Sequence, residues 1–158
     1  MSSAKKIYTR HQALLKAQKY CAYQERCQQE VRNDLYKLGV SKDDIEGIIS
    51  DLISSNFLNE ERFAKAFARG KFKNNDWGWI KIEMELKQRN ISSYCINKAK
   101  NEIEKKDYLE TIQYLVQKKL KELKEDNTYE QKGKIIRYIT SKGFESDLVV
   151  DIVDNIIT

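Results

Sequence analysis

Three stretches of this chain repeat one pattern, and a tandem array is the arrangement that accommodates such a repeat. They are "VRNDLYKLGVSKDDIEGIISDL" (31–52), "IEMELKQRNISSYCINKAKNEI" (82–103) and "IIRYITSKGFESDLVVDIVDNI" (135–156). Aligned on Gly39, Asn90 and Gly143, they bring Val31, Ile82 and Ile135 together. Leu35, Leu86 and Ile139 also match, as do Val40, Ile91 and Phe144, and Ile45, Ile96 and Val149. The offsets are 51 and 53 residues, the length of three short helices.

Each copy carries the same local logic. A helix ends at a residue that tolerates the left-handed conformation, an apolar residue follows, and a polar residue opens the next helix. Ser41 with Asp44 resembles a capping box, and Ser92 or Ser93 can cap the middle copy. Upstream, Thr9 with Gln12 and Thr128 with Gln131 read as capping boxes; Asn59 before Glu60 and Glu61 reads as an N-cap with an acidic first turn. Helices are expected at about 9–23, 27–38, 42–55, 59–74, 79–89, 93–104, 106–125, 128–142 and 146–157. The chain has no proline and only six glycines, which disfavours a turn-rich β fold. The expected architecture is all-α: three tandem three-helix, helix-turn-helix-like units in an elongated, curved array, with units at 1–55, 56–105 and 106–158.

Charge is unevenly spread. The middle segment, 56–106, holds twelve Lys/Arg against seven Asp/Glu, whereas 107–158 holds eight against ten. A localised basic excess predicts an anionic partner, nucleic acid or an acidic protein face. On a helix through residues 59–74, Arg62, Lys65, Arg69 and Lys73 fall within an arc of about 80°. Phe63 and Phe67 share another face with Ala66 and Gly70 and are expected in the core. Lys81 and Arg89 are further candidate cations, with Glu85 placed between them.

Catalysis finds no footing in the sequence. There is one histidine, and no Gly-rich phosphate loop or nucleophile–base motif. His11 with Cys21 and Cys27 has neither metal-site spacing nor a fourth ligand. No cofactor and no metal are expected. The three cysteines, without any C-x-x-C pair, read as free thiols in a reducing cytoplasm. The opening "MSSAKKIYTR" offers no apolar run for a signal peptide, and no window suits a membrane span.

Residues 57–92, "FLNEERFAKAFARGKFKNNDWGWIKIEMELKQRNIS", resemble the signature of the RecX family, regulators of the RecA recombinase. Phe57, Leu58, Asn59, Glu60, Arg62, Phe63 and Ala64 fit its opening; Gly78, Lys81, Ile82, Glu85, Leu86 and Ile91 fit the rest. Trp79 after the glycine and Asn90 at the closing turn depart from the family pattern. The resemblance implies a non-enzymatic modulator that binds the groove of the RecA filament on single-stranded DNA and restrains it. The chain is then expected to be a cytoplasmic monomer, with weak direct DNA binding as a further contact. Arg62, Lys65, Arg69, Lys73, Lys81 and Arg89 are the expected contact residues. Two other readings stand beside it: an independent DNA-binding protein reading bases with Asn97, Lys98 and Asn101, or a helical interaction scaffold.

Overall fold

The computed structural model describes residues 7–124 and 127–157. Among them the regular structure is nine α-helices and no strand: α1 (Arg10–Tyr23), α2 (Gln28–Lys37), α3 (Lys42–Ser54), α4 (Glu60–Asn75), α5 (Trp79–Gln88), α6 (Ser93–Lys100), α7 (Lys105–Glu122), α8 (Thr128–Ser141) and α9 (Ser146–Ile156). The expected end of the seventh helix, residue 125, lies outside the described residues, as do residues 1–6 of the opening stretch.

The caps explain most boundaries. Thr9 and Gln12 exchange the two hydrogen bonds of a capping box. Ser41, Asn59 and Ser92 each accept from the backbone N–H three residues on. At α8 the expected cap is displaced by one residue: Asn127, not Thr128, accepts from Glu130 N. The sixth helix ends at Lys100 rather than 104, with Asn101 as its C-cap. Gly39, Asn90 and Gly143 all have positive φ, at 82°, 59° and 99°. Asn56 and Asp76 adopt the same conformation after α3 and α4, which the repeat alignment does not reveal.

The matched apolar positions are the core. Val31, Ile82 and Ile135 are fully buried, as are Leu35, Leu86 and Ile139, while Ile45, Ile96 and Val149 are buried beside them. Helices pack in consecutive triplets, α1–α3, α4–α6 and α7–α9.

The two junctions differ. The first unit has its own core, joined by Leu58, whereas the second and third share one that also takes in Cys27. Phe144 occupies the place of Val40 and Ile91, and its larger ring reaches Tyr108, with centroids 5.1 Å apart. Phe72 of α4 stacks on Tyr108 at 5.8 Å. The third unit also caps a helix of the second. The start of α5 has no side-chain cap, and its exposed amides donate elsewhere: Gly78 N to Lys142 O (2.8 Å), Trp79 N to Tyr108 Oη (2.9 Å) and Ile80 N to Gly143 O (3.0 Å). Tyr108 Oη in turn donates to Glu145. Burial, reinforced by that bond, raises the phenol pKa well above its ordinary value.

Candidate functional site

α4 carries the site, and its buried side sets where everything else points. Phe63, Ala64, Ala68 and Phe72 are buried, so the core stripe runs through 64, 68 and 72 with Phe63 at its edge. Phe67 is only partly buried. It shares a face with Phe63 as expected, their ring centroids 5.7 Å apart, and packs against the core from the margin rather than from inside it. Phe63, Phe67, Ala66 and Gly70 line a groove of about 400 Å3 at the junction with the first unit.

The row of four cations lies on the opposite flank of the core stripe, and most of it meets acids from other elements. Arg62 Nε pairs with Glu25 Oε1 at 2.6 Å, and its Nη atoms donate to Asn56 Oδ1, Asn56 O and Phe57 O. Arg69 and Lys65 share the Glu102 carboxylate, at 3.3 and 3.9 Å. Lys73 is exposed and makes no ion pair among the described residues, though it borders a depression with Asp76, Asp107 and Glu110. Arg89 pairs with Glu85 at 2.8 Å. Lys81 is not held by Glu85; its Nζ lies 4.4 Å from the Trp77 ring centroid.

Arg62 thereby fastens the second unit to the turn that closes the first. Arg62→Ala should cost about 2–3 kcal/mol in chemical denaturation, because it strips a charge-assisted partner from Glu25 and two carbonyls of their donor. A loss below about 0.5 kcal/mol would make it an ordinary surface residue instead.

A second cationic feature lies across the core stripe from the row, and the helical projection of α4 does not contain it. Phe67 and Trp77, both partly buried, meet edge to face at 6.2 Å. Lys71 Nζ lies 5.6 Å from Phe67 and 4.9 Å from Trp77, Lys81 Nζ sits over Trp77, and Arg89 Cζ lies 4.8 Å from Phe67. The contacts run Arg89, Phe67, Lys71, Trp77, Lys81. Cations held on ring faces are stabilised without being neutralised. Lys71 and Lys81 make no ion pair among the described residues. A signal for it exists in the sequence: Phe67 with Lys71 and Trp77 with Lys81 are both spaced four apart.

The other readings have a place in the structure too. Asn97 and Lys98 are exposed on α6, whose Cys95, Ile96 and Ala99 are buried, while Asn101 lies past the helix end. Cys21, Cys27 and Cys95 are free and buried, and burial pushes the Cys21 and Cys27 thiols up to about 11. His11 is exposed on α1, and among the described residues no cluster of His, Cys, Asp and Glu could hold a metal ion. No described helix is long and apolar enough to cross a membrane.

Three tandem three-helix units with a cationic, partly aromatic face on the second define the class: an all-α repeat protein built to present a surface. Family models of the first, second and third three-helix domains of RecX match residues 13–52, 59–99 and 106–153. The chain belongs to the RecX family. The regulatory protein RecX of Clostridium botulinum strain Eklund 17B is 34% identical over 128 residues, covering 80% of this chain and 59% of its own. That of Bacillus cereus strain B4264 is 26% identical over 137 residues, covering 87% and 51%. This chain thus spans between half and three fifths of those curated relatives. The crystal structure of RecX from Lactobacillus salivarius aligns with a TM-score of 0.80 at 25% identity, over 92% of this chain and 95% of that one.

Proposed function

We propose that this chain is a non-enzymatic, cytoplasmic regulator of RecA that acts as a monomer, docking along the groove of the RecA filament on single-stranded DNA and restraining it. The observation that carries the reading is the RecX three-unit architecture with its cationic excess concentrated on the second unit. An extended chain of small units can follow a helical groove, each unit meeting successive subunits. Lys65, Arg69 and Lys73 stay partly or fully exposed, and only the first two share a close carboxylate, Glu102, which leaves the row positive toward an acidic protein face. Arg62 and Arg89 are committed to Glu25 and Glu85 and contribute mainly by holding the face in place.

The test is RecA's ATPase on single-stranded DNA with this chain added. The wild type should lower it. The variant Lys65→Glu/Arg69→Glu/Lys73→Glu spares Arg62 and should stay folded. It should need at least about a hundredfold more protein for the same effect, because like charges then face each other. Undiminished inhibition by that variant would move the contact to another surface. No effect of the wild type at all would remove the reading.

A further inference from the structure

We propose that a cavity of about 260 Å3 where the second and third units meet is a binding site for a small aromatic carboxylate, its ring lying against Trp79 and Tyr108 and its charge meeting Lys100 and Lys105. The site shares no residue with the cationic row or the Phe67–Trp77 cluster, and its test contains no RecA. The repeat explains how the cavity arises. Ala99 falls in the column of Ile48 and Ile152, and Lys100 in that of Ile49 and Val153. Those four aliphatic residues are buried in their own units. The second unit has a methyl group and an exposed lysine in their place, and α6 stops at Lys100 where α3 and α9 run on past that column. Trp79, which departs from the family pattern, stands where the other copies carry Gln28 and Lys132. Its indole forms one wall of the space left at the end of α6.

The walls are apolar and held in place. Trp79 Nε1 donates to Glu83 Oε2 at 2.8 Å, the Trp79 backbone N–H donates to Tyr108 Oη, and the Tyr108 ring stacks on Phe72. Ile103 and Leu148 complete the apolar lining. A preformed apolar space with a few polar groups beside it is what a small ligand requires. A cavity of about 150 Å3 already takes a benzene ring, so this volume suits two fused rings. The charge around it selects an anion. Lys100 and Lys105 are exposed and make no ion pair among the described residues, and Lys100 Nζ lies 5.8 Å from the Trp79 ring centroid. The acid in the lining, Glu145, is committed to the Tyr108 hydroxyl. Trp79 and Lys105 open α5 and α7, and Glu145 is the N-cap of α9; none of these helices has a side-chain cap. The positive ends of three helix dipoles therefore add to the two lysines. An occupant touches α5 and α6 of the second unit and α7 and α9 of the third, and so braces the junction.

The experiment is titration of the whole chain with 2-naphthoate, followed through the indole N–H resonances of its two tryptophans. The Trp79 signal should move saturably and the Trp77 signal should not, with a dissociation constant of about 1 mM or tighter for a ligand of this size. The uncharged isostere 2-naphthamide should bind about threefold to tenfold more weakly, since each exposed charge pair adds little, and 2-naphthylmethylammonium more weakly still. Lys100→Ile restores the residue of the first copy, filling the cavity and removing a charge. It should lower affinity by at least about tenfold while raising the denaturant midpoint, so lost binding is not lost folding. Lys105→Gln leaves the walls intact and should cut the preference for naphthoate by about half without changing naphthamide binding. Saturating naphthoate should move the transition of the shared core to higher denaturant and leave that of the first unit in place. The proposal fails if the Trp79 signal stays fixed at about ten times the expected dissociation constant, or if the Trp77 signal moves in its place. It also fails if the amide or the amine binds as tightly as the carboxylate, or if folded Lys100→Ile keeps the wild-type affinity.

Discussion

Gly78→Ala should destabilise the second and third units by about 3 kcal/mol or more, a large effect for one methyl group. The backbone at Gly78 is ordinary, with φ −78° and ψ 168°, so conformational freedom is not what requires glycine. Space is. A Cβ there would lie 2.3 Å from both Gly143 C and Phe144 N and 2.4 Å from Gly143 O. All three are backbone atoms, so no side chain can swing aside. The clash would force apart the two turns whose hydrogen bonds cap α5, exposing the amides of Gly78, Trp79 and Ile80. Gly39→Ala is the matched control: it meets nothing within 4 Å and bears only the strain of φ +82°, about 1–2 kcal/mol. Chemical denaturation followed by circular dichroism reads both. Because the first unit has its own core, the Gly78→Ala transition should split, its earlier phase belonging to the shared core. A single transition within about 1 kcal/mol of wild type would show that the junction relaxes at little cost.

The triplet plan and the core were legible because a helical repeat constrains both at once. Positions matched across copies must face the same way, and all nine residues in the 31, 35 and 45 columns are buried. What stayed hidden arose from choices between near-equal local signals. Asn127 with Glu130 and Thr128 with Gln131 offer two cap registers one residue apart, and the asparagine wins by accepting from Glu130 N. The merging of two cores runs through Tyr108, which packs on Phe144 of its own unit and on Phe72 of the second.

The cation row was legible as a row but not as a set of ion pairs. Its acids come from elsewhere in the chain, Glu25 from the segment before α2 and Glu102 from the turn after α6. A helical projection of α4 contains neither. The same projection groups Phe63 with Phe67, since the two lie about one turn apart. Only the packing of α6 against α4 shows that the core side is centred on Ala64, Ala68 and Phe72. Phe67 is left at the margin of that core, where it meets both buried Phe63 and Trp77.

That division of α4 predicts opposite consequences for one substitution at two phenylalanines five residues apart. Phe72→Ala should cost about 3–5 kcal/mol, the range for truncating a buried ring. Phe72 is 6% exposed and stacks on Tyr108, which itself touches Phe144 and holds the Trp79 N–H. The cavity would open where the second and third units share their core. The methyl that remains cannot fill it, because the Tyr108 hydroxyl is fixed between Trp79 and Glu145. Phe67→Ala removes a ring from a groove wall and leaves no enclosed void, so its cost should stay near about 1 kcal/mol. Measuring both variants by denaturant midpoint separates the two roles. Equal losses would mean that α4 is rotated relative to this core.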